Sequence, residues 1–503
     1  MKKRILVLML FIVAIANAQI SSLNDLASGE LKMFTPISEL DGSIYGYFNI
    51  YKLEDVSETE EKYEYVLLDK NLNSVANGEF IDVKYKGYDS DFYYPEKIGS
   101  KLILSKKYKS TSAATVFNSK PYLQNFMSHR FFDIETNKML APFYFKDNKI
   151  IDGSRSVKKI KRVAKEEKTL DFPLVYKDGF FMFERVKGYR SLKDMKSLKA
   201  FDLDKKQKWE YVFNPNNEAI SYNFMLLNKE DIVFRTFNKK TKKEKLHSLN
   251  PQTGEPIFVY EVENKSSKYS HSYTIETTKD RIVIIGKISP YKSSSGYDFE
   301  KSLGFFRIEL DKQGNELSKK YVTWEQLANF IEIKKNGKLK GGYRLAAREY
   351  FVFENNTVSI LTEKSKKDKT TDFVVLNLDE NFSLVSTKVF KKEKDRFYSS
   401  DYLFSQKIKD GNGVAFFYKH YTKNKAKGKI VLMGGFIPVK QSAREWTLGI
   451  VTIINGEINQ EEIPMTSEEH VILPYVAKKG YILLREFNKD SDYDQIRLEQ
   501  LNY

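Results

Sequence analysis

No cysteine occurs in the 503 residues. Disulfides, thiolate-bound zinc, iron–sulfur clusters and thiol nucleophiles are thereby excluded. Proline (12) and tryptophan (3) are scarce, and no Pro-rich or Ser/Gly-rich linker interrupts the chain, so no domain boundary is visible. The five histidines, at 129, 247, 271, 420 and 470, never fall at i, i+2 or i, i+4, which leaves no zinc motif. There is no G-x-S-x-G elbow, Walker A loop or Rossmann glycine pattern. Beyond the first residues, no segment reaches the roughly 18 unbroken apolar residues that a membrane-spanning helix needs.

What the chain does contain is aromatic and basic. Its 36 Phe and 32 Tyr suit pleated, half-buried surfaces. The net charge is +16. The first residues read as a secretory leader: Lys2, Lys3 and Arg4, an apolar stretch from Leu6 to Ile15, and Ala16-Asn17-Ala18 as a small-residue cleavage site. Residues 1–18 are therefore expected to be a signal peptide and residues 19–503 a single exported domain. Loss of the three leader charges leaves +13. In the periplasm, at the outer surface or in the medium, that excess points to anionic glycan, lipid head groups or a partner protein rather than nucleic acid.

A loose repeat organises the rest. An apolar, strand-like run ends in a turn built on Asp or Asn, and the pattern returns about every 64 residues. The turns are Leu68-Asp69-Lys70-Asn71, Phe132-Asp133-Ile134-Glu135, Leu203-Asp204-Lys205-Lys206, Leu249-Asn250-Pro251-Gln252, Leu310-Asp311-Lys312-Gln313 and Leu378-Asp379-Glu380-Asn381, with a weaker copy at Ile454-Asn455-Gly456. Asp and Asn bond their own backbone two residues on and tolerate left-handed geometry, so these residues read as turn formers, not metal ligands. A strand repeat of this period implies an all-β radial fold.

Each unit reads as four short strands, a to d. The b-strands are the clearest: Ile44 to Phe48, Leu102 to Leu104, Phe180 to Phe183, Ile232 to Phe234, Ile282 to Ile285, Val358 to Leu361, Val414 to Phe417 and Tyr481 to Leu484. The expectation is a single β-propeller of four-stranded antiparallel blades, eight rather than the alternative seven. The last unit runs out of chain after its c-strand, near Gln495 to Leu501, and Gln19 to Leu23 is the spare strand expected to complete it and close the ring. One helix is expected from Thr323 through Ile331, and residues 154–168 read as a basic non-strand insertion.

In such a blade the b–c and d–a connections emerge on one face. The b–c segments are basic, and the candidate binding residues are Lys107 and Lys109, Arg190 and Lys193, Lys239, Lys240, Lys242 and Lys243, and Lys423, Lys425 and Lys427, joined by Lys159 and Arg162 from the d–a insertion. The fifth b–c segment, Lys364 to Lys369, is basic but diluted by Asp368. The first and last units are acidic there instead, with Glu54, Asp55, Glu58, Glu60 and Glu61, and with Asp490, Asp492 and Asp494. Asp490-x-Asp492-x-Asp494 starts like a calcium loop, but Gln495 stands where the loop needs Gly and Leu501 where it needs an acid, so a polar hairpin is expected. No metal or cofactor is expected. The alternative to a binding protein is a glycan hydrolase or lyase, whose carboxylates would assemble from distant residues at the central channel.

The leader, the Leu67-Leu68-Asp69-Lys70-Asn71-Leu72-Asn73 turn and the strand repeat together resemble exported proteins of Gram-negative bacteria, about 500 residues long, regarded as β-propellers. The Trp-Asp dipeptide of WD40 repeats, the paired glycines of kelch and the Asp-box of sialidases are absent. The resemblance implies a fold and no site.

Overall fold

A computed structural model describes residues 20–23, 25–39, 41–110, 125–146, 149–156, 172–185, 195–213, 220–227, 231–238, 240–241, 243–263, 268–290, 302–367, 369–396, 401–432, 435–465, 471–488 and 493–502. The proposed leader lies outside them. The fold is all-β, of the propeller class, built on four-stranded antiparallel sheets. The described residues form eight sheets. Each apolar run read as a b-strand falls in the second strand of a different one.

The chain divides into two compact units, Met1–Pro215 with Asn228–Glu230 and Glu469–Asn502, and Asn216–Leu227 with Asp231–Glu468. The first unit holds the first three sheets and the eighth, the second unit the fourth to the seventh. Within each unit, consecutive sheets bury their faces against each other. Phe48 and Leu67 of the first sheet pack on Leu104 and Phe132 of the second, and Tyr47 and Leu68 pack on Leu483 and Leu498 of the eighth. In the second unit Ile284 and Ile308 share a cluster with Val233 and Leu246, and Ile285 shares one with Ile360 and Leu376. A strand covered on both faces reads as a continuous apolar run, which is why Ile282 to Ile285 shows no alternation.

The recurrent turns join third to fourth strands. Asp69 Oδ1 accepts from the backbone N–H groups of Asn71 (2.7 Å) and Asn73 (2.9 Å). Asp311 and Asp379 repeat the arrangement, with the residue three positions on, Gly314 (φ +86°) or Phe382 (φ +60°), in the left-handed region. In the third copy the accepting carboxylate is Asp202, not Asp204, because the left-handed residue is Lys205 (φ +65°).

The N-terminal strand Ile20–Ser22 pairs antiparallel with Asp494–Gln500, Ile20 opposite Arg497, and supplies the fourth strand of the eighth sheet as expected. Leu23 is fully buried and its carbonyl accepts from the Tyr51 hydroxyl at 2.9 Å.

Several expectations need correction. Two sheets exceed four strands: the second gains the hairpin Phe143–Lys146 and Lys149–Asp152, and the sixth gains Asp395–Arg396. The helix is a single turn, Trp324–Leu327, closed by a capping box between Thr323 and Gln326. Some segments read as loops are strand. Lys106, Lys107 and Lys109 lie within Lys101–Ser110, residues 54–57 and 60–61 extend the hairpin of Ile44–Ser57 and Glu60–Asp69, and residues 419–429 belong to Gly413–Leu432. That last strand pairs along its whole length with Gly435–Ile454. Lysine density reads as solvated loop, whereas backbone pairing is indifferent to the side chains, which leave the strand on either face of the sheet. Lys159, Arg162, Arg190, Lys193, Lys239 and Lys242, with Asp490 and Asp492, lie outside the described residues.

Candidate functional site: an aromatic pocket edged by alternating charge

The pleat of Lys101–Ser110 puts Leu102, Leu104, Lys106 and Tyr108 on one face. Leu102 and Leu104 pack against the first sheet, so Lys106 continues a core-facing row and is buried. A buried ammonium must find acceptors. Its Nζ lies 3.2 Å from Asp82 Oδ2 and 3.5 Å from Glu61 Oε2, and donates to the Tyr63 hydroxyl at 3.1 Å. Tyr63 in turn donates to Glu61 Oε2 at 2.5 Å. The Arg130 guanidinium pairs with the other oxygen of Asp82. Toward solvent, Lys52 bridges Glu61 Oε1 (2.9 Å) and Asp55 Oδ1 (2.8 Å), and Lys84 pairs with Asp55. The result is an unbroken alternation, Lys84, Asp55, Lys52, Glu61, Lys106, Asp82, Arg130, with four cations against three carboxylates. Burial opposes the ionisation of Glu61, but the Tyr63 and Lys52 hydrogen bonds and the Lys106 charge hold its carboxyl below the usual range.

Aromatic rings wrap the buried end. Lys106 Nζ stands 4.7 Å from the Tyr63 ring centroid, 5.1 Å from Phe92 and 5.3 Å from Tyr108. The connection from Val83 to Tyr88 turns tightly, Tyr88 N–H donating to the Tyr85 carbonyl at 3.0 Å with Gly87 at φ +80°. That turn delivers Tyr85 and Tyr88 beside the hairpin tip, and Lys84 N–H anchors it to the Thr59 carbonyl at 2.8 Å. Between the first and second sheets a cavity of about 290 Å³ remains, lined by Tyr63, Tyr85, Tyr88, Phe92 and Tyr108, by Lys32, Lys52 and Lys84, and by Glu61, Asp89 and Ser90. Tyr88 and Phe92 are only half-buried, so they offer ring surface to an occupant. The pocket opens where second-to-third-strand and sheet-to-sheet connections meet, the class of loops singled out in the sequence.

The sequence-selected lysines behave differently. Lys109 pairs with Asp91 at 2.5 Å and Lys107 lies 5.7 Å from the Tyr93 ring centroid. In the second unit Lys243 pairs with Glu261 at 3.0 Å, and the exposed Lys240 occupies a turn whose backbone N–H donates to Asn238. These are cross-strand pairs or single surface charges. Lys107 and Lys109 belong to the first unit, Lys240 and Lys243 to the second. Lys423, Lys425 and Lys427 occupy alternate positions of Gly413–Leu432, opposite Arg444, Ser442 and Lys440. The residues that do converge are Lys52, Lys84, Lys106, Tyr63 and Tyr88; of these the sequence marks only Lys106, as one more basic residue of a b–c loop, and none as a candidate binding residue. Their available signal was a lysine in step with Leu102 and Leu104, and two tyrosines flanking Gly87.

A second convergence lies on the first strands of the fifth, sixth and seventh sheets, all in the second unit. The Tyr402 hydroxyl donates to Glu349 Oε2 at 3.1 Å. Burial pushes Glu276 up to about 7, the Glu349 charge adding to the effect and Lys407 opposing it. Burial and the Arg348 charge bring Lys287 down to about 7. Arg348 itself donates to Glu363 at 2.6 Å. Among the described residues no group of three or more His, Cys, Asp or Glu side chains is arranged to hold a metal.

Over residues 1–367 the sequence matches the family described as "Family of unknown function (DUF6770)". The chain belongs to this family. No curated protein matches it. Among solved structures the DUF6770 chain is similar to a prolyl endopeptidase studied for inter-domain dynamics, at 9% identity and TM-score 0.40, over 94% of this chain and 55% of that one. It is also similar to a post-proline cleaving enzyme from Rickettsia typhi, at 10% identity and TM-score 0.39, over 88% and 57% of the two chains. A DUF4221 family member from Bacteroides vulgatus matches at 9% identity and TM-score 0.29, over 66% and 92%. The DUF6770 chain thus spans little more than half the length of the first two.

Proposed function

We propose that this DUF6770 chain is an exported, non-enzymatic binding protein, and that the pocket between the first two sheets holds an acidic sugar residue of an anionic glycan. The observation that carries this reading is the juxtaposition of half-buried rings with a charge ladder holding one cation in excess. Sugar C–H faces stack on Tyr and Phe rings, hydroxyls use paired acceptors and donors, and a carboxylate can replace Asp55 at Lys84 and Lys52. The ladder is already paired, so the pocket selects for an occupant that supplies its own anion.

Calorimetric titration with a hexuronate oligosaccharide and its neutral counterpart tests this. The acidic sugar is expected to bind, less tightly as salt rises. Tyr88→Ala and Lys84→Ala are each expected to weaken binding by roughly five- to tenfold. Equal affinity for the neutral sugar, or indifference to both substitutions, overturns the reading.

The Glu276, Glu349 and Tyr402 convergence favours a second reading, a glycan hydrolase or lyase working from the first strands. Glu276, neutral up to about pH 7, has the character of a general acid. Product release from an acidic polysaccharide would then fall as pH rises through about 7 and vanish in Glu276→Gln. Glycan binding without turnover, unchanged in Glu276→Gln, leaves only the first reading.

A further inference from the structure

The segment between Glu316–Thr323 and Arg344–Val352, in the second unit, is a rigid basic projection. Trp324 and Leu327 are buried in the core, and the Trp324 indole N–H donates to the Ser302 carbonyl at 2.6 Å. Beyond them Ile333 bridges to Leu339 across a tight turn, with Gly337 N–H donating to the Lys334 carbonyl at 2.7 Å. Gly337 has φ +76°, and a Cβ there would come within 2.7 Å of Trp324 Nε1, so the turn is pressed onto the buried indole. The Arg344 guanidinium fastens it further, donating to the Asn336 carbonyl at 2.6 Å.

A distant stretch of sequence joins this projection. Lys366, at the tip of the hairpin formed by Val358–Lys366 and Lys369–Leu378, donates to the Gly341 carbonyl at 2.7 Å. Lys334, Lys338 and Lys340 are thereby grouped with Lys366, Lys367 and Lys369. All six are exposed, and among the described residues none is ion-paired. Lys335 is different, being paired with Glu325. Lys334, Lys338 and Lys340 line an open cavity of about 550 Å³ with Ala328, Ile331, Ile333 and Leu339 in its wall, and Glu332 as its one carboxylate. Phe330, adjacent to Ile331, is 53% exposed.

We infer that this projection docks on an anionic lipid bilayer, with the lysines at the head groups and Phe330 and the apolar wall at the acyl boundary. Cations that are in no ion pair among the described residues, set around apolar surface, complement an anionic interface on both counts, whereas a soluble anion would leave the apolar wall and Phe330 in water. The inference rests on side chains other than those of the sugar pocket and stands or falls separately.

Flotation of the full chain with phosphatidylcholine vesicles, with and without phosphatidylglycerol, tests it. Binding is expected only with phosphatidylglycerol and is expected to weaken with salt. Each of Lys334→Glu, Lys338→Glu and Lys340→Glu should cost about fivefold or more, and the three together at least about a hundredfold. Phe330→Ser should cost roughly tenfold without changing the salt dependence. Tyr88→Ala, in the other unit, should leave vesicle binding intact. All of these positions are exposed or half-buried, and far-UV circular dichroism verifies that each variant folds. Equal binding to neutral vesicles, full retention by the triple variant, or complete competition by inorganic phosphate at constant ionic strength overturns the inference.

Discussion

Lys106 shows how one side chain decides the chemistry around it. It is the buried cation between Glu61 and Asp82, and Arg130 neutralises only the far side of Asp82. Lys106→Met keeps the volume and removes the charge, leaving two carboxylates short of a partner in a water-poor site. Urea denaturation at pH 7 is expected to show a loss of about 3–5 kcal/mol. The sign of the pH dependence follows from Glu61. Its folded-state carboxyl is held below its ordinary value of 4.5, so that stability is present above that pH and drains away as pH falls below it. In Lys106→Met this acid loss should shrink. A near-neutral substitution with unchanged acid sensitivity would mean that the ladder does not form. None of this was legible locally. Lys106, Lys107 and Lys109 look alike as sequence, and only the alternation after Leu102 and Leu104 marks the first as inward-facing.

At the scale of the element, turns were far more legible than the lengths of the strands they join. An Asp side chain that caps two N–H groups acts within five residues, so its signature survives in sequence. For Asp69, those hydrogen bonds and the bond from Asn73 Nδ2 hold the carboxyl below its usual range against a burial effect that raises it. Asp69→Ala removes both backbone contacts and is expected to lose about 1–2 kcal/mol in thermal or urea unfolding. Asp69→Asn keeps the accepting oxygen and should lose less than half of that. Equal losses would show that charge, not acceptor geometry, matters there. Hairpin length was misread for a different reason. Gly413–Leu432 carries lysines at 423, 425, 427 and 429, and the partner that keeps this stretch extended, Gly435–Ile454, lies beyond it in sequence. Local composition reports solvation, and pairing is settled by the neighbouring strand.

At the scale of the whole molecule, the two chain ends meet in one unit. Ile20–Ser22 hydrogen-bonds to Asp494–Gln500, and Leu23 N–H donates to the Asp494 carbonyl at 2.9 Å. Without residues 20–23, the strand Asp494–Gln500 becomes an open edge and the pocket around Leu23 empties. The deletion is expected to lower stability by at least about 2 kcal/mol and to promote self-association, seen as higher-mass species in size-exclusion chromatography. A monomer of unchanged melting temperature would show the strand to be dispensable. Counting strands against turns anticipates this pairing, because a missing fourth strand leaves its mark in the order of segments.

By itself the sequence determined the all-β class, the blade repeat, the turns and the strand that ties the ends together. All of these depend on patterns within a few residues or on the order of segments along the chain. Only the tertiary structure decided which charges are buried, which are paired and which stand free. Lys106 meets Asp82 and Glu61 across sheets, and Lys366 meets Gly341 across a projection built elsewhere in the chain. The field at an ammonium is set by groups within a few ångströms, and in a stacked-sheet fold those groups arrive from strands remote in sequence.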